Sequence, residues 1–162
     1  MAGYEIVGAK GIDIDPQELV RTLRTIDHGE VLVIDADVVC GREHLQSAVE
    51  HAERSINAGT NSCKDMAMET MLFVSGERQI SKAQEKMSPK AGSQRFALVL
   101  FDANVTDVLE LSWLVRDDSV LECTRAKAVS FGISKTELET AGEDKAQDLV
   151  LERVVFVEIA KR

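Results

Sequence analysis

No run of about 18 apolar residues occurs anywhere in the 162-residue chain, so no segment reads as a bilayer-spanning helix. The opening MAGYEIVGAKG lacks a basic stretch followed by an apolar core, the mark of a secretory signal, and the expected compartment is the cytoplasm. Cysteine is sparse. Cys40, Cys63 and Cys123 are odd in number and widely spaced, which predicts reduced, mostly buried thiols rather than a disulfide framework. Basic residues are also in deficit, 19 against 28 acidic, and the net charge of −9 argues against nonspecific phosphate binding by the domain as a whole. The GAKG of Gly8 to Gly11 lacks both the spacing of a phosphate-binding loop and a helix directly after it. Ser75 lies in VSGE rather than GxSxG, and no histidine follows His51, which removes the usual order of a hydrolase triad.

What is present is an ordinary globular composition, 44% hydrophobic and 29% charged, in a chain long enough to bury roughly 70% of its unfolded surface. YEIVGAKGI alternates like a strand. After Asp15, Pro16 suits a first helical position, and Leu19, Val20, Leu23 and Ile26 recur at helical spacing. EVLVIDADVV is β-branched enough for a second strand, and Leu45, Ala48, Val49, Ala52 and Ile56 share one face of a helix from about Arg42 to Asn57. Two further helices are predicted, from about Cys63 to Val74 and from about Glu77 to Met87, where Pro89 forbids continuation. RFALVLFDA has strand length, and Asn104 caps a helix carrying Val108, Leu111, Trp113, Leu114 and Val115, with Trp113 read as core. The last segment, about Asp144 to Ile159, fits one long helix, while its VVFVEI also fits a terminal strand. The expected fold is a single α+β domain, residues 1–162, with a small mixed sheet packed with several helices.

Candidate chemistry is thin. Cys40 and His44 are four apart at a helix start, but His51 lies about 10 Å further along the helix, too far to share a tetrahedral metal with them. Asp35 and Asp37 flank Ala36 at a strand end, where carboxylates can hold a metal or exchange protons. A small-molecule or metal-dependent enzyme using Asp35, Asp37 and Cys40 is therefore the alternative function. No cofactor is implied.

The stretch ETMLFVSGERQISKAQEK is different. One helix running through it would place Ser75 and Gly76 on the buried face, whereas a break there explains both residues. A helix starting at about Glu77 would offer unpaired amides and a positive dipole end to an anion, with Arg78 in its first turn. Lys82 and Lys86 follow at four-residue steps as a basic stripe, with Lys64 and Lys90 nearby in sequence. Residues 64–95 carry six basic and four acidic groups. They form the only positive third of the chain.

At these residues the chain resembles a known family. LFVSGERQISKA, preceded by IDADVVCGREHLQSAVEHA, is similar to the small subunit of the archaeal KEOPS complex, the TPRKB type that binds the PRPK or Bud-type kinase. The similarity extends to the LVLERVVFVEI end. The resemblance implies a non-catalytic, regulatory subunit that binds the kinase N-lobe and acts indirectly with the KEOPS threonylcarbamoyl transferase subunit. It further implies recruitment of tRNA by its single-stranded 3′ CCA end, for threonylcarbamoyl-adenosine modification. The expected tRNA-end site is Ser75, Gly76, Arg78, Gln79, Lys82 and Lys86, with Phe73 the nearby stacking candidate. Kinase-contact residues are not assigned by any short motif.

Overall fold

The computed structural model describes residues 3–26 and 28–161. In chain order its elements are β1 (Tyr4–Lys10), α1 (Pro16–Leu23), β2 (Glu30–Asp35), α2 (Arg42–Asn57), α3 (Met66–Ser75), α4 (Ile80–Met87), β3 (Arg95–Phe101), α5 (Val105–Ser112), β4 (Val115–Arg116), α6 (Arg125–Phe131), α7 (Lys135–Ala141) and α8 (Ala146–Ala160). This is the expected α+β class. The chain divides into two compact units, Met1–Asp37 with Ser88–Leu121, and Val38–Met87 with Glu122–Arg162. No helix among the described residues is long and apolar enough to cross a membrane.

The first unit holds the sheet, in the order β2-β3-β1-β4. Its pairings all run antiparallel, which corrects the expectation of a mixed sheet. β3 pairs with β1 from Tyr4–Phe101 to Lys10–Arg95 and with β2 from Glu30–Phe101 to Asp35–Phe96, so RFALVLF is central and buried after Arg95. A continuous apolar run is what a strand covered on both faces requires. Val7, Ala9, Val33, Leu98 and Leu100 meet Leu19 and Leu23 of α1 and Val108 of α5 in one core. Burying each such aliphatic side chain contributes about 1.5–3 kcal/mol. Pro16 opens α1 as expected, with Asp15 Oδ1 accepting the Gln17 N–H at 3.0 Å, and the expected Asn104 cap is present, its Oδ1 accepting the Asp107 N–H at 3.1 Å.

The helix after Asn104 is shorter than its apolar spacing predicts. It ends at Ser112, and Trp113 turns into the left-handed region at φ 61°, releasing Val115–Arg116 as a short strand beside β1. Trp113 is therefore not core: it is 84% exposed, while Leu114 beside it points inward at 6%.

The second unit is helical. On α2 the residues Leu45, Ala48, Val49 and Ala52 are fully buried, as their shared face requires. α3 starts at Met66, where Asp65 Oδ1 accepts the Met68 N–H at 2.8 Å, and is buried nearly all round, Phe73 included. The C-terminal segment resolves as one helix, not a strand. α8 buries Ala146, Val150, Val154 and Val157 at helical spacing. In this unit Cys40 and Cys123 form a disulfide, contrary to the expectation of three reduced thiols, and Cys63 is the free one.

Candidate functional site

The Ser75-Gly76 pair does break the helix, and its geometry shows why these two residues stand there. Ser75 is fully buried; its hydroxyl donates to Leu72 O at 2.8 Å and accepts the Glu77 N–H at 3.0 Å, closing a tight turn. Gly76 has φ 72° and donates its N–H to Phe73 O at 3.1 Å. A Cβ on it would also sit 3.1 Å from the Arg153 Cβ of α8. Residue 76 is thus held to glycine by both its backbone angle and its neighbour.

The following helix starts at Ile80 rather than at Glu77. Arg78 and Gln79 consequently lie on the connecting segment, both exposed, and Arg78 is not in a helical first turn. Lys82 is exposed on α4. Lys86 departs from the expected stripe: its Nζ donates to Ser75 O at 2.6 Å and lies 3.7 Å over the Phe131 ring of α6, with Glu77 at 4.0 Å. Burial holds its pKa below the usual lysine value, against the pull of Glu77. Lys86 is a clip that shapes the turn from below. The expected stacking residue Phe73 is also inward, where it lies against His51 with ring centroids 5.5 Å apart.

The groups of the alternative enzyme all have structural employment. Asp35 is buried and accepts the Asp37 N–H at 2.9 Å; burial raises its pKa. Asp37 pairs with Arg95 at 2.7 Å, and Cys40 is committed to its disulfide. His44 is fully buried, with both ring nitrogens engaged. Nδ1 accepts the Cys40 N–H at 3.0 Å, so Nε2 carries the proton that it donates to Val74 O at 2.8 Å. Among the described residues no group of three or more His, Cys, Asp or Glu side chains is placed to hold a metal ion.

His44 yields a pH prediction. Burial, foremost, lowers its pKa from 6.5 to about 4. The folded state needs the neutral ring while the unfolded chain takes up the proton near 6.5, so this contribution is complete above that value. It is lost as pH falls toward 4, amounting to about 3 kcal/mol at 1.36 kcal/mol per pKa unit. Denaturant midpoints of the wild type should fall over this window, and His44→Gln should show a lower midpoint at neutral pH but a flatter slope. An equal slope in the variant would remove His44 as the cause.

Sequence periodicity missed the outer face of α8. Beside its buried row, Val155, Phe156 and Ile159 are 40%, 48% and 54% exposed, so the helix is apolar on two sides. Its orientation is secured by polar clamps elsewhere on its surface. Gln147 donates to Glu43 at 2.9 Å, Arg153 Nη2 donates to both Glu137 carboxylate oxygens at 2.9 and 2.7 Å, Glu158 lies 2.9 Å from His51 Nδ1, and the residue just past the helix, Lys161, reaches Glu69 at 3.0 Å. The signal was available in VVFVEI, a run too apolar for a helix with only one buried face. A clamped helix with an uncovered apolar row is what a partner protein's surface can seat on.

Against known families, residues 15–154 match the model described as kinase binding protein CGI-121. The chain belongs to the CGI-121 family. The match spans α1 to α7, including the Ser75-Gly76 turn, and most of α8. A comparison with curated proteins finds no match. Membership of a kinase-binding family accords with the resemblance read at LFVSGERQISKA and makes a kinase the natural partner of the chain.

Proposed function

We propose that residues 1–162 act as one cytoplasmic domain without catalysis of its own, a KEOPS subunit that binds a small Bud-type kinase and recruits tRNA by its 3′ CCA end for threonylcarbamoyl-adenosine modification. The observation that carries the kinase half is the outward row Val155, Phe156 and Ile159 in a chain of the CGI-121 family. Those apolar groups become buried when the kinase docks, and Phe156 is the side chain of the row best suited to be its anchor.

The tRNA half rests on the Ser75-Gly76 turn and the resemblance at SGERQI. Arg78 and Lys82 are exposed cations beside the turn, and Gln79 adds an exposed amide, so these three meet phosphate and ribose. Ser75, Gly76 and Lys86 contribute by holding the turn in shape. The threonylcarbamoyl transferase subunit is reached indirectly, through the assembled complex.

Two variants separate the halves. Phe156→Glu should abolish comigration with the kinase on gel filtration at micromolar concentrations while leaving tRNA affinity unchanged. Arg78→Glu should do the reverse, with Lys82→Ala weakening tRNA more mildly and lowering the salt slope by about one unit. A tRNA lacking its CCA end should bind the wild type as poorly as intact tRNA binds Arg78→Glu. Wild-type tRNA affinity in a folded Arg78→Glu protein would refute the RNA half, and an unimpaired kinase complex with Phe156→Glu would refute the placement on α8.

A further inference from the structure

The sheet unit carries a second uncovered apolar surface that the kinase and tRNA readings leave unused. In the β1–β4 pairing, Ala9 faces Arg116 and Lys10 faces Val115. Past the two-residue ladder Gly11 still lies beside Leu114, where a Cβ on Gly11 would be 3.2 Å from the Leu114 Cδ2, and Ile12 and Trp113 are the next residues along the two segments. Leu114 is buried, whereas Ile12, Trp113 and Val115 around it are open to solvent. They are 85%, 84% and 60% exposed, and among the described residues Ile12 and Trp113 are the two most exposed large apolar side chains.

The charge around this surface indicates what covers it. The unit holds 6 basic and 13 acidic residues, a net −7, whereas the helical unit holds 13 and 15, a net −2. Lys10 and Arg116, the cations bordering the surface, are neutralised by Asp117 at 2.9 Å and Asp118 at 3.1 Å. Asp13, next to Ile12, and Glu110, one helical turn before Trp113, present exposed carboxylates. Exposed carboxylates and an exposed indole carried on these two segments attract a cation through ion pairing and the π face. A nucleic acid or an anionic lipid surface meets net repulsion here, and a second copy would set two identical acidic faces against each other.

We propose that Ile12, Trp113 and Val115 form a docking surface for a partner-protein segment that interleaves cationic and aliphatic side chains. The guanidinium or ammonium groups meet Asp13, Glu110 and the indole face, and the aliphatic groups cover Ile12 and Val115. All of these residues belong to the sheet unit, so the surface does not depend on the kinase row on α8.

Trp113 is the chain's only tryptophan, so its fluorescence reports on the site directly. The probe is a short synthetic peptide alternating arginine and leucine, titrated into the intact protein. The expected result is a saturable blue shift or quench that weakens with salt, absent for the matching peptide of glutamate and leucine and for oligothymidylate. By calorimetry, Trp113→Ala should weaken binding at least about tenfold, and the double variant Asp13→Asn, Glu110→Gln should weaken it and reduce its salt dependence. Phe156→Glu should leave peptide binding unchanged, so failure here is distinguishable from failure of the kinase reading. No response to the arginine peptide, an equal response to the glutamate peptide or to oligothymidylate, or a shift with protein concentration alone would each overturn the proposal.

Discussion

Reducing the Cys40–Cys123 bridge is expected to lower the stability of the chain by about 4.5 kcal/mol, the loop-closure entropy released when a cross-link spanning 83 residues is opened. Cys40 is fully buried ahead of α2, and Cys123 immediately precedes Thr124, which caps α6 by accepting the Lys127 N–H at 3.1 Å. The bridge therefore tethers the start of α6, the helix whose Phe131 packs edge-on to His44 and beneath Lys86. Guanidinium unfolding with and without a phosphine reductant measures the difference. Cys123→Ser should match the reduced wild type and be insensitive to reductant, since a buried Cys40 thiol still packs as a small hydrophobe. Amide exchange should rise first around residues 124–132. Identical midpoints for oxidised and reduced protein would show that the bridge contributes nothing.

Removing the carboxylate of Glu69 is expected to destabilise the fold by about 3–5 kcal/mol, because a buried charge network then loses its centre. Glu69 is fully buried on α3. Its Oε2 accepts the Ser55 hydroxyl at 2.7 Å and lies 3.0 Å from Lys161 Nζ, and its Oε1 accepts the Ser62 and Cys63 N–H groups, both at 3.0 Å. Every partner is a donor, so Glu69→Gln should be nearly as damaging as Glu69→Ala: its amide nitrogen would have to face another donor. Burial by itself raises the Glu69 pKa, but the Ser55 hydroxyl, Lys161 and the Cys63 amide outweigh it and hold the carboxyl below its ordinary value. A depressed carboxyl contributes stability above the unfolded value, near 4.5, and loses it as pH falls through the folded one. Wild-type stability should therefore drop steeply on acidification below 4.5, and Glu69→Gln, already weakened at pH 7, should drop less. A neutral effect of Glu69→Gln at pH 7 would mean that solvent, not Lys161, satisfies the carboxylate.

Local signals were legible wherever one interaction decides the outcome. The bounds of α2, Pro16 opening α1, the Asn104 cap and the stop at Gly76 each depend on residues within a turn of the event, and each was readable. Sequence spacing starts α4 at Glu77, three residues early, because the Ser75 hydroxyl takes up the Glu77 N–H and the turn extends to Gln79 before helical bonding resumes. Periodicity places Trp113 in the core because apolar spacing continues through Leu114 and Val115, while the chain itself leaves the helix at Trp113. The disulfide and the inward turn of Lys86 depend on residues 83 and 45 positions away, which no local periodicity encodes. Of the expected tRNA-end residues, Arg78, Gln79 and Lys82 are exposed, whereas Ser75 and Lys86 are drawn into the scaffold.

The turn at residue 76 also separates what the architecture demands from what a ligand demands. Gly76 is constrained by its own dihedral and by the flank of Arg153, so substitution there disturbs the chain whether or not anything binds. Arg78, Gln79 and Lys82 stand clear of such constraints, and their side chains can be exchanged with little consequence for folding. Drift at these three positions would then record a history of ligand preference, against a background in which position 76 stays silent.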